Sequence, residues 1–139
     1  MKKFIVCFAM LISSVASANP YDWKVTRAVD GDTVEIQVNW LPTELGDKLK
    51  IRIFGVDTPE KGFRAKCPAE AVKGDAATAF TKKFLASSKS TKVEIKEWDK
   101  FGGRVLGDII VDGKSLRSEL IKSGLAREYF GDAKKSWCD

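Results

Sequence analysis

Two short stretches concentrate acids where the chain's shape does not call for them. "FGVDTPEK" (residues 54–61) sets Asp57 and Glu60 around a Thr-Pro corner directly after an apolar run, and "AVDGDTVEI" (residues 28–36) sets Asp32 at the mouth of another. Asp30 and Gly31 suit a turn, but aspartate is depleted in strands, so Asp32 needs a different explanation. Asp112 and Gly113 in "IIVDGKS" are the contrast: no further acid follows, and they read as a plain turn. The sequence contains no histidine. That excludes a histidine general base, a Ser-His-Asp triad and histidine-metal fingers, and leaves acid–base chemistry to carboxylates, Lys, Arg, Tyr or metal-bound water.

The elements that must hold these acids follow from periodicity. Trp23, Val25 and Arg27 share one side of a first strand; in "TVEIQVN" Val34, Ile36 and Val38 point inward while Glu35 and Gln37 point out. "LPTELGD" is a loop, and "KLKIRIFGV" alternates again, with Leu49, Ile51 and Ile53 inside and Lys48, Lys50 and Arg52 outside. The period then changes: Val72, Ala76, Phe80 and Phe84 recur every four residues, an apolar stripe on a helix with Pro68 in its first turn. Strands follow over residues 91–98 and 104–111, then a short helix ending at Gly124. Three strands, a helix, two strands and a helix predict an α+β domain: a five-stranded OB-type Greek-key β-barrel with one helix between strands three and four and one after strand five.

In that barrel the second strand starts at Asp32 and the third ends near Val56, so antiparallel pairing brings Asp32 and Asp57 together at one rim. Like charges repel unless a cation lies between them. Carboxylates and a backbone carbonyl are hard oxygen donors that suit Ca²⁺, which takes about 6–8 oxygens and leaves room for water. Pro59 fixes the corner, so Glu60 is held near the same ion without binding it directly.

Length and composition set the frame. The 139 residues, 44% of them hydrophobic, make one domain preceded by a targeting segment. Lys2 and Lys3, the apolar run over residues 4–15 and "ASA" at residues 16–18 form a secretory signal peptide, with cleavage after residue 18 and a mature domain over residues 19–139. The run is shorter than the roughly 20 residues a spanning helix needs, so no stable membrane association is expected after cleavage. The protein is expected to be exported, to the periplasm or beyond, and to be a monomer. Loss of Lys2 and Lys3 lowers the formal charge of +5 by two, a mildly basic balance that favours a polyanionic partner without demanding one. Cys7 leaves with the signal. Cys67 and Cys138 then remain in an oxidising compartment, where they pair or persist as two free thiols; pairing is the expectation.

"VDGDT", "IRIFGVDTPE", "AFTKK", "DKFGGR" and "SELIKSGLA" stand in the order found in the staphylococcal nuclease (thermonuclease) family, which the chain resembles over nearly all of its mature length. The resemblance implies that Asp32, Asp57 and the carbonyl of Thr58 hold Ca²⁺, that Glu60 contacts the attacking water, and that Arg52 and Arg104 flank the scissile phosphate. It implies hydrolysis of DNA and RNA with 3′-phosphate products. A shallow barrel face with a stacking aromatic favours single strands. Lys100, Phe101 and Tyr129 are expected to touch the nucleotide, with Phe130 as an alternative to Tyr129, and Arg64 and Lys66 as further strand contacts. The chain departs from the family pattern in three ways. "KFGGR" has two glycines before Arg104 where one is usual, Phe101 replaces a tyrosine, and residues 127–139 leave no room for a long terminal helix. A noncatalytic OB-fold module that binds nucleic acid or a partner is the rival reading.

Overall fold

The computed structural model describes residues 20–139; the expected signal peptide and Cys7 lie outside them. The strands are β1 (Lys24–Ala28), β2 (Thr33–Gln37), β3 (Lys48–Ile53), β4 (Val56–Asp57), β5 (Thr91–Trp98), β6 (Arg104–Val111), β7 (Lys114–Ser115) and β8 (Arg127–Glu128). Helix α1 (Pro68–Ala86) lies between β4 and β5, and α2 (Leu116–Lys122) follows β7. The main sheet runs β1-β2-β3-β6-β5, with β7 on β6. Only the β3–β6 pairing in it is parallel. Tyr21 bridges Val93 on β5 through two 2.8 Å backbone bonds, which brings the chain just before β1 against the far edge and curls the sheet toward a closed barrel. This is the expected α+β, OB-type arrangement, except that the third strand ends at Ile53 rather than near Val56: Phe54 and Gly55 turn the chain, and Val56–Asp57 form β4, which pairs with β8 instead of β2.

Alternation built the barrel as expected. Val34, Ile36 and Val38 of the second strand and its extension, and Leu49, Ile51 and Ile53 of β3, are buried together with Val93, Val105 and Ile109. Each such side chain contributes about 1.5–3 kcal/mol when fully removed from water. In β1 a bulge between Val25 and Arg27 shifts the pattern: Arg27 is exposed and Ala28 is buried instead. Asp112, at φ 50°, and Gly113, at φ 79°, turn the chain tightly from β6 into β7, so the plain-turn reading holds.

The stripe expected on α1 holds only in the second half of the helix, where Phe80 and Phe84 pack partly buried against the core. Val72 is 69% exposed and Ala76 is also exposed, while the buried positions are Glu70, Gly74, Ala77, Thr78 and Thr81. The reason is what this face packs against. A Cβ on Gly74 would stand 2.2 Å from the Glu60 carbonyl oxygen, and one on Gly31 would stand 2.8 Å from the Cβ of Ala77. Thr81 Oγ1 donates to the Gly31 carbonyl at 2.7 Å. Helix α1 therefore lies closely against both acid-bearing loops, on the Glu60 backbone at Gly74 and on Gly31 at Ala77 and Thr81, which requires small and hydrogen-bonding residues where a core-facing helix would carry large apolar ones.

Candidate functional site: an acidic rim gripped by Arg52

Asp32 directly precedes β2, and its carbonyl accepts the Ile53 N–H at 2.8 Å. Opposite it, Arg52 pairs in register with Thr33. The Arg52 guanidinium spans the gap between the two loops: Nη1 lies 3.3 Å from Asp32 Oδ2, and Nη2 donates to the Val56 carbonyl at 3.4 Å, one residue before Asp57. Burial raises the Asp32 carboxyl from its ordinary 3.8 to about 6, opposed by Arg52; Asp30 adds to the rise and Thr58 tempers it. Asp32, Arg52, Thr58 and the start of the corner are thus one electrostatic unit.

Asp57 and Thr58 are buried. Asp57 pairs with Arg127 across β4 and β8; its Oδ1 meets the Lys134 ammonium at 2.6 Å, and its Oδ2 accepts the Trp137 indole N–H at 2.9 Å. Glu60 is more open, its side chain 40% exposed and 3.4 Å from Arg64 Nε. Asp57, Thr58, Glu60, Lys134 and Trp137 line one cleft.

Several residues that hold this rim were not singled out for it in the sequence. Glu70 accepts the backbone N–H groups of Glu60 at 3.2 Å and Lys66 at 2.7 Å, so one buried carboxylate ties both ends of the corner to α1. The spacing was readable as a helix start, since Glu70 is the third helical residue after the N-cap Cys67. Lys61 Nζ donates to the Val29 carbonyl at 2.8 Å and links the corner to the other acidic loop. Asp30, read as a turn former, accepts at Oδ2 from Arg64 Nη2 at 3.1 Å, while its buried Oδ1 has no hydrogen-bond partner among the described residues.

The remaining expected site residues lie around this rim. Arg104 begins β6 opposite Lys50, two positions from Leu106, the partner of Arg52, so the two arginines project from the same face of neighbouring strands. Its Nε pairs with Asp99, and its guanidinium carbon lies 4.9 Å from the Phe101 ring centre; it does not line the cleft. The extra glycine is absorbed in the turn, which is closed by the Asp99 N–H bonding the Arg104 carbonyl at 3.1 Å. Lys100 and Phe101 are exposed on the same turn. Tyr129 donates its N–H to the Gly55 carbonyl at 3.0 Å, and Lys134 Nζ lies 5.5 Å from its ring centre, beside the cleft. Phe130 turns the other way, onto Phe54. Cys67 and Cys138 are bonded, with Cα atoms 6.0 Å apart.

The donor set fits a hard divalent cation. Two buried carboxylates, a neighbouring carbonyl and the unpartnered buried oxygen of Asp30 are all oxygen donors, the kind Ca²⁺ and Mg²⁺ take. Among the described residues no three or more Cys, Asp or Glu side chains form a ready metal cage, so such an ion would draw its other ligands from backbone and water.

Relatives of the chain carry nuclease names. The chain is 31% identical over 119 residues to the thermonuclease of Staphylococcus hyicus, covering 85% of this chain and 65% of that protein. It is 37% identical over 105 residues to endonuclease YncB of Bacillus subtilis (strain 168), covering 73% and 44%. With the thermonuclease of Staphylococcus intermedius it shares 34% over 107 residues, 76% and 58% of the two chains. This chain thus spans less than two thirds of each of these relatives. The family model described as "Staphylococcal nuclease homologue" matches residues 50–137, a stretch that includes Arg52, the corner, α1 and the tail tryptophan but not Asp32. On that match and this barrel, the chain belongs to the staphylococcal nuclease homologue family.

Proposed function

We propose that this protein is an exported, monomeric, Ca²⁺-dependent nuclease that hydrolyses phosphodiester bonds of single-stranded DNA and RNA by direct attack of water, leaving 3′-phosphates. The observation that supports the reading is the double contact of Arg52, which joins the Asp32 carboxylate to the Val56 carbonyl next to Asp57. The relatives named thermonuclease and endonuclease support the reaction class. The disulfide is consistent with export.

In this reading Asp32, Asp57 and the Thr58 carbonyl hold the ion, which when bound supplies Lewis acidity at a phosphoryl oxygen and a template for the nucleophile. Glu60, the exposed carboxylate of the cleft, orients the water and takes its proton as oxygen joins phosphorus. The bond from phosphorus to the 5′ oxygen breaks, so the phosphate stays on the 3′ side and the 5′ oxygen leaves as a hydroxyl after gaining a proton from solvent water. A guanidinium carries five N–H donors, and Arg52 leaves several free beyond its two contacts. Arg52 and Arg104 then stabilise the charge that grows on the phosphate oxygens. Phe101 offers a face on which a base stacks, with Lys100 and Tyr129 as further contacts.

The test is digestion of single-stranded DNA and RNA by EDTA-washed protein, with and without added Ca²⁺, for wild type and Glu60→Gln. Activity that returns with Ca²⁺ and falls about 10²–10⁴-fold in the variant is expected. Equal rates with and without the ion would remove the metal from the mechanism. Retention of oligonucleotide in a gel without cutting under any divalent ion would favour the noncatalytic binding module.

A further inference from the structure

Asp57 takes its side-chain partners from a segment far away in sequence. Its Oδ2 accepts the indole N–H of Trp137 at 2.9 Å across a separation of 80 residues. The tryptophan is 8% exposed although it lies in a tail with no regular secondary structure. The Arg127 guanidinium stacks on its ring, 3.7 Å from the centre, and Arg127 is also the residue paired with Asp57 across β4 and β8. The tail backbone is pinned on both sides of the ring. Arg127 Nη1 donates to the Ser136 carbonyl at 2.7 Å, and Lys73 Nζ donates to the carbonyls of Trp137 and Asp139, each at 2.8 Å. The next residue, Cys138, is bonded to Cys67, which caps α1.

A carboxylate that binds a cation through one oxygen holds it best when the other oxygen is already fixed, because orientation is then not lost as entropy on binding. An indole N–H is well suited to that task. It donates a single hydrogen bond, accepts none, and brings no positive charge to compete with the ion. We propose that Trp137 is a positioning residue for the ion-binding carboxylate of Asp57, and that the Cys67–Cys138 bond keeps it there, so that reducing this bond weakens divalent-ion binding. The inference rests on Asp57 being a Ca²⁺ ligand.

Calorimetric titration of the mature protein with CaCl2 tests it without any turnover. Trp137→Phe keeps the ring that Arg127 covers and removes only the donor. Calcium affinity is expected to fall about 10–100-fold in this variant while it still melts cooperatively in EDTA. The Cys67→Ser, Cys138→Ser double variant is expected to show a similar loss, and adding Trp137→Phe to it to cause little more, since both changes remove one contact. Wild-type affinity in Trp137→Phe overturns the positioning role, and losses that add in full overturn the link to the disulfide. If the double variant does not fold, Trp137→Phe with the bond intact decides the positioning role, and titration of wild-type protein under mild reductant decides the link. A folded wild type that takes up no calcium overturns the metal reading itself, a result distinct from equal affinities of wild type and variant.

Discussion

Gly74 of α1 lies against the backbone of Glu60, so closely that a Cβ there would stand 2.2 Å from the Glu60 carbonyl oxygen and 2.9 Å from the Lys61 nitrogen. Both neighbours are backbone and cannot swing aside. In a helix interior, replacing glycine by alanine ordinarily gains about 1 kcal/mol. Here the sign should reverse, because helix and corner must separate. Gly74→Ala is expected to destabilise the protein by about 1–3 kcal/mol in urea denaturation. Cleavage should fall with it, since the displaced loop is the one that carries Glu60.

Glu70 fastens the same corner by a different force. Its two oxygens accept the N–H groups of Glu60 and Lys66, and it is buried. Glu70→Ala leaves both donors without partners, and hydrogen bonds to a charged group contribute about 1.5–3 kcal/mol each. A loss of roughly 3–6 kcal/mol is expected, reduced in Glu70→Gln, whose amide oxygen satisfies one donor. Equal melting temperatures for Glu70→Ala and wild type would contradict this.

How much of this was legible from the chain differs by element. Strand alternation placed Ile36, Ile51 and Ile53 inside and Arg52 outside, but the register that sets Thr33 opposite Arg52, and so brings Asp32 to that guanidinium, is not given by period two. Phe80 and Phe84 of helix α1 do pack against the core, but its first half misled, because an apolar recurrence marks a core-facing segment only when the core is what it faces. Its buried side faces two loops and is built of Gly74, Ala77, Thr78 and Thr81. Trp137 was illegible for another reason. Its place depends on a disulfide between residues 71 apart, and no local pattern reports which oxygen a distant indole will meet.

Asp32 makes stability depend on pH in a direction opposite to an ordinary salt-bridged aspartate. Burial raises its pKa from 3.8 to about 6, with Arg52 pulling the other way. The folded protein therefore holds this proton more tightly than the unfolded chain. The stabilisation is fully present below about pH 4 and is lost as pH climbs to about 6. With EDTA present, urea midpoints of wild type should fall across this window relative to those of Asp32→Asn. At pH 7 the variant should be the more stable, by up to about 3 kcal/mol. Parallel curves for the two proteins would mean that Arg52 neutralises Asp32 fully.

Lys134 is the second tail residue on Asp57, and its effect on the ion should be opposite to that of Trp137. Its ammonium meets Oδ1 at 2.6 Å, on a side chain that is itself 42% exposed, so it can swing into water without breaking the fold. A divalent ion and an ammonium compete for the same negative charge, and a ligand oxygen that receives Ca²⁺ at about 2.3–2.6 Å has little room for Nζ. With Asp57 as the proposed Ca²⁺ ligand, the ion displaces Lys134 from Oδ1, whereas the Trp137 bond on Oδ2 is free to persist. Lys134→Gln removes the competing charge and is expected to tighten calcium binding several-fold. Its melting temperature in EDTA should drop slightly, since Asp57 then loses a counter-charge. The check is calorimetry at two ionic strengths: the gain should shrink as salt screens the exposed ammonium. Weaker calcium binding in the variant would instead make Lys134 an aid to the site.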